Sequence, residues 1–127
     1  SPANIRDVVT VGAFGEDGST YATSGAGPAF LGIRQADHVK PDVVAPGENV
    51  VSSVLLPEGS AYLRASGSSV AASVVAGAAA LLYSAEPRLH RKPLLMKQLL
   101  TDAARGKPST LCQREDVIPN FEYGYGE

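Results

Sequence analysis

"GSSVAASVVAGAAALLYSA", Gly67 to Ala85, lies within the longest stretch of this chain that carries no charge. Seven alanines fall between Ser69 and Ala85, and no proline interrupts the run before Pro87. Alanine gives up no side-chain entropy on entering a helix, so the spacing predicts a helix from Ser69 of at least about four turns. Its side chains are small and apolar on every side, which marks a central, buried helix rather than a surface one. A bilayer span needs about 20 apolar residues. The consistently nonpolar part, Val70 to Tyr83, is shorter than that and mostly Ala, so no membrane role is expected.

"DVVTVGAF" (Asp7 to Phe14) reads as a buried strand that ends in the turn-rich "GEDGS". "KPDVVAPGENVVSSVL" gives two short strands, Asp42 to Ala45 and Val50 to Val54, with Pro46 and Gly47 breaking the chain between them. A further strand near Ala61 to Ala65 leads into the quoted segment, and Ser24 to Lys40 reads as a surface loop. Beyond Pro87, Pro93 suits the first position of a second helix. Leu95, Met96, Leu99, Leu100 and Ala103 then share one side, Lys97, Gln98, Thr101, Asp102 and Arg105 the other, and Gly106 supplies a stop.

The totals fit one globular unit: 127 residues, 44% hydrophobic, 19% charged and a net charge of -2. Such a balance gives no footprint for nucleic acid. Cys112 is alone, so it forms no internal disulfide and belongs to no paired metal-ligand spacing.

A serine hydroxyl attacks a carbonyl only when a base takes its proton and something stabilises the oxyanion. The first N–H groups of a helix meet the second need, since they lack intrahelical partners and carry partial positive charge. Gly67 allows a tight turn out of the preceding strand, and Ser69 falls in the first turn of the helix. On these features alone, Ser69 reads first as an ordinary helix cap, since Ser is among the commonest N-cap residues.

The wider sequence adds more. "GSSVAASVVAGAAALL" resembles the nucleophile-helix motif of the subtilases, G-T-S-x-A-[ST]-P-x-V-A-G, with Ser69 at the place of the catalytic serine. "SPANIRDVVTVGAF", "YATSGAGP" and "KPDVVAPGENVVSS" are similar, in order, to the family's V-x-V-G-A, S-S-x-G-P and K-P-D-[VL]-x-A-P-G segments, and "YGYGE" to its G-x-G close. Departures flank the serine: Ser68 replaces Thr before it, and after it Ala72 replaces Ser or Thr, Ser73 replaces Pro, and Val74 replaces a frequent His.

The resemblance implies an α/β fold, the subtilisin-like three-layer arrangement around a parallel sheet, with residues 1–127 forming its C-terminal portion. It implies a serine endopeptidase in which Ser69 attacks the peptide carbonyl, Ser66, Gly67 and Ser68 line the substrate cleft, and Ser1 to Ala3 lie at one wall of the specificity pocket. The family's Asp and His, and the Asn of its oxyanion hole, belong to motifs upstream of anything in this sequence. The chain alone is therefore expected to be inactive and to need the N-terminal part of the domain as a partner, with a peptide or protein as substrate.

His38 and His90 are expected on the solvated surface, Asp42 at a strand end or turn. No cofactor or metal site is expected in the chain, although the resemblance admits calcium in the parent enzyme. Two other readings stand beside the protease. One is a subtilisin-like pseudoprotease acting as a regulatory or binding scaffold, as in clostridial spore germination. The other is an independent module that covers its open sheet edges by self-association. A secreted or cell-associated bacterial location is the expectation.

Overall fold

The computed structural model describes residues 2–29, 38–109 and 117–127. Cys112, Ser1 and part of the Ser24–Lys40 loop, all named above, lie outside the described residues. Strand β1 (Val11–Phe14) pairs in parallel with β2 (Val43–Pro46), in the register Val11 to Val43 through Phe14 to Pro46. Strands β3 (Val50–Leu56) and β4 (Gly59–Ala65) form a separate antiparallel hairpin that runs directly into helix α1 (Ser68–Ala85). Helix α2 (Pro93–Ala103) follows, after a 3-10 turn at Pro87–Leu89.

Small residues set the spacing of the layers. Ala13 and Ala45 are opposite each other in the parallel ladder, and Ala71 of α1 lies against both; all three are buried, ringed by Val11, Tyr21 and Val75. Alanine at three facing positions lets helix and sheet approach closely, and packing of this density leaves no room for an added methyl. Gly47, just past β2, continues the same contact. A Cβ there would meet Ala13 Cβ at 2.5 Å and the Gly67 carbonyl at 2.9 Å.

The C-terminal segment closes the other edge of β2. Tyr125 N–H donates to the Asp42 carbonyl at 2.8 Å, and Val44 N–H to the Gly126 carbonyl at 2.9 Å. Tyr123 is buried, as tail packing requires, and Glu122 is buried as well. The Glu122 carboxylate accepts hydrogen bonds from the hydroxyls of Thr20 and Ser109.

Several expectations need correction. Helix α1 is long and apolar but not enclosed: Ala71 is its one buried residue, and Leu81 is 74% exposed. It packs on β1 and β2 along one side and meets the Pro87–Leu89 turn near its C-terminal end, which leaves most of its surface uncovered by the described residues. Its composition would also suit a membrane span, but the contact of Ala71 with the sheet makes it a core-facing helix. Strand β1 begins at Val11, not Asp7, because the Thr10 N–H is taken by the Asp42 carboxylate. Helix α2 ends at Ala103, three residues before Gly106, which lies under Ile118 instead. Lys97, on the side of α2 opposite the apolar residues, reaches inward to Asp42.

Candidate active site

The parallel strands point their C-terminal ends, Phe14 and Pro46, toward the start of α1. Gly47 N–H donates to the Phe14 carbonyl at 3.0 Å, and Gly67 N–H donates to the Gly47 carbonyl at 2.7 Å. This is the place where open α/β sheets bind ligands, beyond the carboxyl ends of their strands. Gly67 has φ 142° and ψ 162°, a region that residues with a Cβ rarely enter, so the turn from β4 into α1 depends on glycine at that position.

Ser69 is the second residue of α1 and is exposed, as is Ser66; Gly67 and Ser68 are half-buried. Val70 and Ala71 N–H groups both donate to the Gly67 carbonyl, at 3.0 and 3.2 Å. The N–H groups of Ser68 and Ser69 have no partner among the described residues. Two amide hydrogens thus remain open beside an accessible hydroxyl, at the positive end of a helix. An anion developing next to Ser69 would meet donors already in place.

Serine 66 does something the sequence did not disclose. Its Oγ accepts the Asn49 N–H at 2.9 Å, while Arg64 Nη1 donates to the Asn49 carbonyl at 3.1 Å. Ser73, standing where the motif has proline, donates its hydroxyl to the Ser69 carbonyl at 3.0 Å. The departure therefore adds a bond one turn behind the candidate nucleophile.

Neither histidine of the chain serves Ser69 as a base. The His90 ring stacks edge-on against Tyr83, with centroids 5.3 Å apart. At 1.5 Å per residue, Tyr83 lies roughly 21 Å along α1 from Ser69. His38 precedes β2 and so lies at the strand's N-terminal end, away from Gly47 and Gly67. It is half-buried rather than solvated, and its Nε2 is buried with no hydrogen-bond partner among the described residues.

Asp42 is a buried hub. Lys40 Nζ approaches its Oδ2 at 2.6 Å, Lys97 Nζ its Oδ1 at 2.7 Å, and Thr10 N–H its Oδ2 at 2.7 Å. Both oxygens are engaged by cations of the chain itself, so the carboxylate is structural and offers no place for a metal ion. Burial pushes the Lys40 amine below the usual lysine range, against the opposing pull of Asp42. Among the described residues no group of three or more His, Cys, Asp or Glu side chains converges to hold a metal.

With this geometry in view, comparison with known proteins decides the relationship. The model of the Subtilase family matches residues 1–126. The chain belongs to the subtilase family. It is 37% identical to the subtilisin-like protease SBT6.1 of Arabidopsis thaliana over 96% of its own length, and 33% identical to the serine protease AprX of Bacillus subtilis over 99%. It spans 12% and 29% of those two proteins.

Among solved structures, the Clostridium perfringens CspB protease superposes with a TM-score of 0.73 at 32% identity, covering 98% of this chain and 25% of that one. The patellamide maturation protease PatA gives 0.70 at 27% identity, over 98% of this chain and 41% of that one. The subtilase arrangement of strands and helices is thus the fold of this chain, which spans less than half of each of these relatives.

Proposed function

We propose that Ser69 is the nucleophile of a subtilisin-like serine endopeptidase whose base and acid lie in a part of the domain outside these 127 residues. The observation that carries this reading is the exposed Ser69 beside the open Ser68 and Ser69 amides, at the C-terminal end of the parallel strands. In the reaction, a histidine from the remainder of the domain takes the Ser69 proton as Oγ attacks the peptide carbonyl. The Ser69 N–H donates to the resulting oxyanion. The same histidine returns the proton to the leaving amine, and water releases the acyl group. Ser66, Gly67 and Ser68 border the substrate, and the substrate is a peptide or protein.

The test is labelling of the protein that carries the complete peptidase domain with a fluorophosphonate. Wild type is expected to label at Ser69, Ser69→Ala to be silent, and the isolated 127-residue chain to label far more slowly than the complete domain. Full labelling of Ser69→Ala would overturn the assignment.

A second reading keeps the fold as a regulatory or binding scaffold. What favours it is the altered segment behind Ser69, where Ala72, Ser73 and Val74 replace the motif's residues. The Clostridium perfringens structure that this chain resembles is itself described as a protease, which favours the first reading. A complete domain that binds polypeptide without reacting with fluorophosphonate would establish the scaffold.

A further inference from the structure

We propose that Arg64 and Ser66 are positioning residues that act through the Asn49 turn to fix the geometry of Ser69. The inference rests on the reading of Ser69 as nucleophile and concerns what holds it in place. The β3–β4 ladder ends at the pair Val50 and Ala65, so no strand pairing orients the four residues from Ser66 to Ser69. Side chains and loop backbone take over there. Arg64 and Ser66 are two residues apart and so emerge on the same side of the extended chain. Between them they engage both backbone polar groups of Asn49: Ser66 Oγ accepts its N–H at 2.9 Å, and Arg64 Nη1 donates to its carbonyl at 3.1 Å.

Asn49 needs that support. Its φ is 53°, the left-handed region that non-glycine residues enter at a cost, with asparagine among those that enter it most readily. Two residues earlier, Gly47 ties the same loop to β1 through Phe14 and to the nucleophile turn through Gly67. Gly67 has no side chain with which to set its own conformation, and its φ of 142° is imposed from outside. The bonds therefore form a bracket, with the end of β1 as its fixed point and Asn49 as its latch. Ser69 Oγ and its open N–H are aimed by whatever holds this loop. A displacement of about 1 Å at a reacting group can cost ~10²-fold in rate, so a latch of two modest hydrogen bonds is enough to matter.

The experiment uses the protein with its complete peptidase domain and compares wild type with Ser66→Ala, Ser66→Thr and Arg64→Ala. Three quantities are read: the rate of fluorophosphonate labelling at Ser69, kcat and KM on a peptide substrate, and amide hydrogen exchange resolved to residues 47–49 and 66–70. Ser66→Ala is expected to lower the labelling rate and kcat about tenfold. Arg64→Ala should move both in the same direction by less. Ser66→Thr, which keeps a hydroxyl, should restore most of the rate. Exchange should quicken at 47–49 and 66–70 in Ser66→Ala and stay unchanged in β1 and β2.

Wild-type labelling rates in both alanine variants would overturn the proposal. So would a loss of rate that Ser66→Thr does not repair, or one that accompanies faster exchange throughout the domain. If wild type does not label at all, the nucleophile reading fails separately, and exchange alone decides the latch: undiminished protection at 47–49 and 66–70 in Ser66→Ala removes it.

Discussion

Lys97 Nζ lies 2.7 Å from Asp42 Oδ1 and fastens helix α2 to the start of strand β2. The same carboxylate takes Lys40 at 2.6 Å, and Asp42 and Lys40 are 4% and 5% exposed. Each ammonium has a second partner: Lys40 donates to the Val8 carbonyl at 2.8 Å, and Lys97 to the Arg6 carbonyl at 2.5 Å. One negative charge thus gathers β2, the segment before β1 and α2 at a single point.

Removing that charge should be costly. Asp42→Asn leaves two ammonium groups, one of them buried, with only carbonyl oxygens to face, and breaking a buried pair in this way costs about 3–5 kcal/mol. Lys97→Met keeps the aliphatic stem and leaves Asp42 its bond to Lys40. Lys97 is also the more exposed partner, so the expected loss is smaller, about 1 kcal/mol. Urea denaturation of both variants checks the order; a milder Asp42→Asn would refute it.

Gly47→Ala should strike both stability and the site. Its new methyl would lie 2.5 Å from Ala13 Cβ, 2.9 Å from the Gly67 carbonyl and 3.2 Å from Ala71 Cβ. None of these atoms is the end of a flexible side chain, so backbone must shift, at about 1–3 kcal/mol. The shift falls on Gly67, so slower fluorophosphonate labelling of Ser69 in the complete domain should accompany the lower denaturation midpoint. A stable variant with normal labelling would contradict the close-packed junction.

What was legible in the sequence was local. Pro46 and Gly47 mark the end of β2, Pro93 opens α2, and the alanine run fixes α1 to within a residue of its start, because each signal acts on the backbone that carries it. What was missed depends on distant partners. Nothing near Lys97 announces Asp42, and exposed glutamate is so common that no pattern foretells the buried Glu122. The clamp from Arg64 and Ser66 to Asn49 likewise needs the hairpin register before it can be seen. An apolar run also says that a helix would rather be covered, not that the same chain covers it. The exposure of α1 is the result.

Acid should loosen the C-terminal segment. A hydrogen bond from Arg105 holds the Glu127 carboxyl below its ordinary value of 4.5, with Lys107 adding to the effect at 3.8 Å. A carboxylate depressed in the folded state contributes stability that is complete above the unfolded value, 4.5. That contribution drains as pH falls through the lower folded value. Glu127→Gln should therefore show a shallower loss of stability below pH 4.5 than wild type. Arg105 is largely exposed, so the difference should be small and shrink in salt. Identical acid limbs for the two proteins would count against the pair.

The isolated chain should self-associate through α1. Along that helix Leu81 is 74% exposed and Val74 42%, and an open apolar groove of about 920 Å³ runs beside it between β2 and α2. Continuous apolar surface of this kind is rarely left to water by a soluble monomer. The relatives are longer, with more chain available to cover such a helix; for these 127 residues on their own a second copy is the nearest substitute. Size-exclusion chromatography over a range of concentrations should show a species that grows with concentration. Leu81→Lys, which places a charge on the exposed side and touches no buried residue of the sheet contact, should shift it toward monomer. A wild-type chain that stays monomeric and melts cooperatively at every concentration would mean that α1 is content in water, and the idea would fail.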